Sequence, residues 1–316
     1  MMPNSTRAEQ PPFYRPYLWA AAEFQLGLRP FAPSGWITIE ADYATVMREK
    51  RERLLAYRDQ YYRALPSSLP AQRELRERVV AHLLQDHASH FTRKGAVVAS
   101  PGDSYECELS DDSVEPLLKL SQLIEEDFML IEEIDGKPLI SAASNVYSSS
   151  GRLVSSVGRP IAWAHEPVPN LTSALGPRID RIIGSVHAAT PGERYNWQVT
   201  PLGSIFFPRD NPHAANAAAM HAALEILRVE PERAGDILWI RVERQTLTRL
   251  PESRAVAFSL HTYSDPLASI QDDTESVRAM LALLRSYSPE RLKYSEMDII
   301  REPLMAWLAS RAGSVP

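Results

Sequence analysis

Apolar positions fall on a helical repeat in two long segments near the start of the chain. Over residues 40–64, Tyr43, Val46, Met47, Leu54 and Leu55 share a stripe, and over 70–87 so do Leu75, Val79, Leu83 and Leu84. The spacing predicts two amphipathic helices that each cover an apolar surface. A third helical stretch, 112–126, turns Val114, Leu117, Leu118, Leu120 and Ile124 inward, with Asp111 or Asp112 as N-cap. The period then changes. "FMLIEEI" (128–134) and "LISAASNVY" (139–147) flank "DGKP", and Asp-Gly between apolar runs predicts a β-hairpin. Further strands are expected at 194–200, 237–247 and 255–263, and helices at 213–231, 273–287 and 302–312. With no βαβ crossovers between the strands, the sheet should be antiparallel and the fold class α+β. Residues 1–18 show no periodicity and read as an arm.

Composition narrows the partners more than the fold. With 44% apolar and 23% charged residues, the 316-residue chain can bury a sizeable core. Its net charge of -6 offers no basic footprint for nucleic acid or an anionic membrane surface. No run of about 18 apolar residues occurs and no secretory leader pattern opens the chain, so a cytoplasmic location is expected. The single cysteine, Cys107, in the polar stretch "GDSYECELSDD", excludes an intrachain disulfide, a Cys-rich zinc site and a four-cysteine iron–sulfur cluster. No Gly-rich phosphate loop or GxSxG elbow occurs. Any electrons must come from elsewhere.

Histidines supply the first candidate chemistry. In "HLLQDHASH", His87 and His90 share a helix face, but His82 lies about 140° from His87 on a regular helix, and a solvated helix end accounts for the cluster better than a metal site. In "GRPIAWAHEPVPN" (158–170), His165 follows an apolar run containing Trp163 and precedes Pro167 and Pro169. Two readings stand: a satisfied core histidine, or a neutral imidazole for a buried iron. Strand alternation adds polar stripes. Arg194, Asn196 and Gln198 share one face, Arg241, Glu243 and Gln245 another, and His261 sits beside Tyr263. Such stripes line either solvent or a polar pocket on a concave sheet.

At "LGLRPF" (26–31), "EEDFMLIEEIDG" (125–136), "GRPIAWAHEPVP" (158–169), "RYNW" (194–197), "LWIRVERQTLTRLP" (238–251) and "HTYSDPL" (261–267), the chain resembles the haem-binding α-subunits of the haem-dependent oxidative N-demethylases. The resemblance implies a PAS-like five-stranded antiparallel sheet cupping a b-type haem, with N- and C-terminal helical elaborations. It implies an arm at 1–25 and one domain over 26–316: a helical cover at 36–126, the sheet core at 127–270 and closing helices at 271–316. The implied reaction oxidises a small secondary amine with O2 and releases an aldehyde through a carbinolamine. Electrons from NADPH would arrive through a separate reductase subunit carrying FMN and an iron–sulfur centre, and a tetrahydrofolate-dependent subunit can take up formaldehyde.

On that resemblance His165 is the axial ligand to iron, Arg159, Arg194, Asn196, Trp197 and Arg244 are placed around the cofactor, and Glu243, His261 and Tyr263 are the catalytic candidates. Two positions depart from the family. Gly151, in "SSSGRL", stands where a Trp is expected, and His261 where an Arg is expected. Both suggest an amine larger than dimethylamine. The rival reading is a non-catalytic PAS module that senses haem or a small ligand, against which stands the absence of any output domain or coiled-coil linker.

Overall fold

The computed structural model describes residues 14–20, 27–100, 102, 104–111, 113–147, 152–164, 179–188, 190–207 and 211–313. Among the described residues ten strands run in chain order: β1 (Arg29–Pro30), β2 (Tyr62–Ala64), β3 (Thr92–Lys94), β4 (Val97–Ser100), β5 (Tyr105–Glu108), β6 (Asp127–Ile134), β7 (Lys137–Ser144), β8 (Gly192–Thr200), β9 (Trp239–Arg249) and β10 (Val256–Pro266). They form a seven-stranded sheet, ordered β1-β8-β9-β10-β6-β7-β2, and a three-stranded one, β3-β4-β5. The five strands expected from sequence are thus the contiguous middle of a larger sheet. The expected five-stranded sheet is corrected to seven plus three, because the two-residue β1 and three-residue β2 are too short to show an alternating pattern.

The hairpin between β6 and β7 turns at Asp135 and Gly136, with φ of 52° and 71°. Positive φ at both central residues is the two-residue turn whose twist matches that of the flanking strands, and Asp-Gly is chosen for it. Leu130 pairs with Ala142 and Ile131 with Ile140, so Ser141 is an extra residue that bends the ladder.

One compact unit comprises Leu28–Arg194 and Arg244–His261. Its helices Tyr43–Ala56 and Leu69–Asp86 bury Val46, Met47 and Leu54, and Leu75, Val79 and Leu83. The first is shorter than its periodicity suggests. It stops at Tyr57 (φ −138°, ψ 40°), and after one more turn the chain extends into β2 against β7. The third expected helix contracts to Pro116–Ser121 with Glu115 as N-cap, because the chain leaves helical geometry to deliver residues 124–127 inward. Cys107 is corrected from a polar loop to a buried position on β5, where burial pushes its thiol up.

The other unit comprises Met1–Gly27, Tyr195–Glu243 and Thr262–Pro316. Val277, Met280, Leu281 and Leu284 form the apolar stripe of helix Thr274–Ser286, which begins at Asp273, whose carboxylate accepts from Ser276 N at 3.1 Å. They join one core with Val199, Ile240, Val242 and Trp307. Each fully buried aliphatic side chain contributes about 1.5–3 kcal/mol. Helices Pro212–Val229 and Arg301–Arg311 lie within two residues of their expected limits. No helix among the described residues is long and apolar enough to cross a membrane.

A Cβ added at Gly203 would lie well inside van der Waals contact of the Trp239 indole. Gly203→Ala should therefore lower stability by about 1–3 kcal/mol, read as a drop in urea midpoint at unchanged slope. A midpoint equal to wild type would show that the indole moves freely.

Candidate functional site

The unit spanning Leu28–Arg194 and Arg244–His261 buries an unusual set of charges. After helix Pro116–Ser121 the chain turns and presents Glu125, Glu126 and Asp127, which are 3%, 1% and 1% exposed. Carboxylates out of water need compensation. Lys50, on helix Tyr43–Ala56, supplies part of it. Its Nζ donates to Ile124 O (3.2 Å), Glu125 O (3.0 Å) and Glu126 O (2.8 Å), lies 3.1 Å from Asp127 Oδ1, and sits 4.9 Å from the centre of the Tyr147 ring. Asp127 Oδ2 accepts from Asn145 Nδ2 (3.0 Å), Val146 N (2.7 Å) and Tyr147 N (2.9 Å). One ion pair therefore fixes the turn before β6 and the chain leaving β7.

Glu126 faces His261. Its Oε1 accepts from His261 Nδ1 at 3.1 Å and from Thr38 N at 2.8 Å, while Glu125 Oε2 accepts from Glu40 N at 3.1 Å. Burial raises the affinity of the Glu126 carboxyl for a proton, but the charge of His261 and the hydrogen bonds from His261 and Thr38 outweigh it, and the group titrates below its ordinary value. For His261 burial disfavours the charged form, yet the Glu126 carboxylate wins and raises it. Glu125 has weaker compensation. Burial pushes it up to about 7, only partly offset by His261 and the Glu40 amide.

Arg244 lies on the same unit's part of β9. Its Nε donates to Glu193 Oε2 at 2.9 Å and its Nη1 to Trp36 O at 3.4 Å, with the guanidinium 5.1 Å from the Phe31 ring centre. Thr246 and Ser259 share a 2.6 Å hydroxyl hydrogen bond across the β9–β10 hairpin. Two residues further along each strand, on the same face, Arg244 stands across from His261. Residues 36–40 form a strap of irregular backbone tied down by ionisable side chains: Arg244, Glu125 and Glu126 as above, His82 Nε2 with Ile37 N (3.4 Å) and His87 Nε2 with Ile37 O (3.0 Å). The reading of His82 and His87 as a solvated helix end is thereby corrected. They are partly buried, with ring centres 5.4 Å apart, because His87 ends the helix and its ring is not held to the helical angle; His90 is exposed. No group of three metal-ligating side chains occurs among the described residues.

The remaining sequence candidates are dispersed. His165 and Gly151 lie outside the described residues. Arg159 is exposed, with its guanidinium 4.4 Å from the centre of the Trp163 ring, and Arg194 and Asn196 are half-buried on β8. In the unit containing Tyr195–Glu243, Trp197 is buried in the core against Tyr17 and Tyr287, and Tyr263 packs 4.7 Å from Tyr14. Glu243 keeps partial exposure, whereas Arg241, on the same face of β9, is buried, its guanidinium donating to Ile205 O at 3.1 Å and lying 4.3 Å from the Phe207 ring centre. Sequence reasoning missed Lys50, Glu125, Glu126 and Asp127 as site residues. Lys50 falls on the apolar stripe with Val46, Met47 and Leu54, and a lysine there signals a buried partner.

One comparison with known proteins bears on the chain as a whole. A family model described as "Haem-dependent oxidative N-demethylase, alpha subunit-like" matches residues 27–305.

Lys50→Met would leave Asp127 charged and uncompensated in the interior. It should lower the unfolding free energy by about 3–5 kcal/mol in urea titrations followed by circular dichroism. A change within about 0.5 kcal/mol, the range of neutral surface substitutions, would mean that the ion pair does not hold the Glu125–Asp127 turn.

Proposed function

The chain belongs to the haem-dependent oxidative N-demethylase, alpha subunit-like family, and from that premise we propose that it is the haem-binding subunit of a monooxygenase. On this reading it oxidatively N-dealkylates a secondary amine, releases an aldehyde and draws electrons from a separate reductase. The family description supports an oxidoreductase, a haem requirement and a multi-subunit assembly.

The donor set fits a haem through one histidine. His82 has both ring nitrogens engaged, by Asp86 at 2.9 Å and by Ile37 N; His87 holds Ile37 O; His261 is tied to Glu126; and His90, His187 and His221 are exposed. Of the two histidines whose side chains lie outside the description, His165 and His213, His165 directly follows the short apolar helix Ile161–Ala164. We propose that His165, as the resemblance implies, would hold the haem iron. Arg159 and Arg194 are the proposed partners of the propionates, with Asn196 beside Arg194 on β8. Arg244, already paired with Glu193, organises the site instead. Bound haem supplies the iron at which O2 is activated and to which electrons are delivered.

The observation that carries the chemistry is the buried His261–Glu126 pair. Converting an N-methyl group and O2 to a carbinolamine and water takes two electrons and two protons, and collapse to amine and aldehyde follows. A carboxylate-backed imidazolium is a suitable proton donor. In this proposal His261 fills that role, and Glu243, partly exposed on β9, is the candidate for binding the substrate ammonium. Tyr263, packed against Tyr14, is given no chemical step. Gly151 and His261, where the resemblance leads one to expect a Trp and an Arg, are the basis for proposing an amine larger than dimethylamine.

His165→Ala should abolish or badly weaken haem binding, whereas Cys107→Ser, removing a buried thiol, should leave the absorption spectrum unchanged. A full haem complement and an unaltered spectrum in His165→Ala would overturn the ligand assignment. The purified chain should consume no NADPH with any amine until a flavin and iron–sulfur reductase is added, and unaided NADPH oxidation would contradict the subunit scheme.

A further inference from the structure

We propose that Glu125, Glu126 and His261 act as one proton-holding unit, in which Glu125 carries an exchangeable proton and both glutamates are positioning residues for His261. The proposal rests on the reading of His261 as proton donor and adds to it the source of the proton.

Charge balance makes the case. Three buried carboxyl groups, Glu125, Glu126 and Asp127, share two buried cations, Lys50 and His261. Lys50 is fully engaged by Asp127 and three carbonyls, and His261 by Glu126. Arg244, across from His261, is balanced by Glu193. No further cation among the described residues is paired with Glu125. Its carboxyl accepts from the Glu40 amide and meets Glu40 and Glu126 as like charges, with His261 the cation that acts on it most strongly and Tyr147 close enough to feel its charge. Two carboxylates in one dry site do not both ionise readily, so one keeps a proton. Glu125 is the one that does, since Glu126 has the imidazolium and the Thr38 amide. The rise of Glu125 to about 7 follows from this arrangement.

A second observation marks an unfilled place in the unit. Glu126 Oε2 is buried and has no hydrogen-bond donor among the described residues, although Oε1 of the same carboxylate has two. A water or the N–H of an amine would satisfy it. With Glu125 neutral, Glu126 negative and His261 positive, the unit carries no net charge. Giving one proton to a proton-consuming step leaves it at minus one, and a proton from water restores it. Such titration belongs to the set and not to one residue.

The test is infrared difference spectroscopy of the purified protein between pH 5.5 and 8.5, in light and heavy water, paired with the pH profile of kcat. Wild type should show a protonated-carboxyl band that is lost as pH rises through about 7. The band should vanish in Glu125→Gln and reappear, shifted, in Glu125→Asp. Glu126→Gln should lower the titration point of His261. kcat should fall about tenfold for each pH unit above that of the unit, and Glu125→Gln should flatten this limb while Glu125→Asp restores it. Absence of the band in folded wild type at pH 6 would overturn the proposal, whatever the turnover. The band without amine turnover under any reductase would leave the proton-holding unit standing and remove the monooxygenase reading. If Glu125→Gln does not fold, the wild-type band with Glu125→Asp decides.

Discussion

The desolvation of three consecutive carboxyl groups, Glu125 to Asp127, is the constraint around which one half of this molecule is organised. Each would be destabilising alone. Lys50 answers the last of them and the preceding carbonyls together, so the helix carrying Lys50, the turn before β6 and the chain leaving β7 are fixed as a set. Glu126 then draws His261 from β10, and both glutamates draw the amides of the 36–40 strap. A buried ion pair is weak support for stability in itself, because apolar side chains of the same volume often do as well. Its value here is positional.

What the site can do follows from asymmetry between neighbours in sequence. Glu125 and Glu126 are chemically identical and both buried, yet Glu126 has two donors, one of them the His261 imidazole, and Glu125 a single amide among the described residues. Their proton affinities move in opposite directions. The same device, two like groups driven apart by their surroundings, separates acid from base in many sites.

The elements of the fold were largely legible in the pattern of residues. Asp135-Gly136 announced its hairpin, and the stripe through Val277, Met280, Leu281 and Leu284 announced its helix, because these signals are local. β1 and β2 were not legible: two or three residues cannot show a period of two, and their pairing depends on strands distant in sequence. The site divided along the same line. His261 stood out by its strand context, but its partner Glu126 lies 135 residues away and reads as the polar end of the helical stretch 112–126. Arg241 and Glu243 read as a pair on one strand face and part company, because the carbonyl of Ile205 caps the guanidinium of Arg241.

The strap at 36–40 has a kinetic meaning as well. Its backbone is held by side chains 45, 50, 85, 88 and 208 positions away, whereas helical and hairpin hydrogen bonds join near neighbours. Each such bond closes a long loop whose entropy must already have been lost through other contacts. The strap therefore docks only after the Leu69–Asp86 helix, the Glu125–Asp127 turn and β9 are in place. Its docking marks completion of that unit, and a chain stalled in folding would betray itself first by an exposed Trp36.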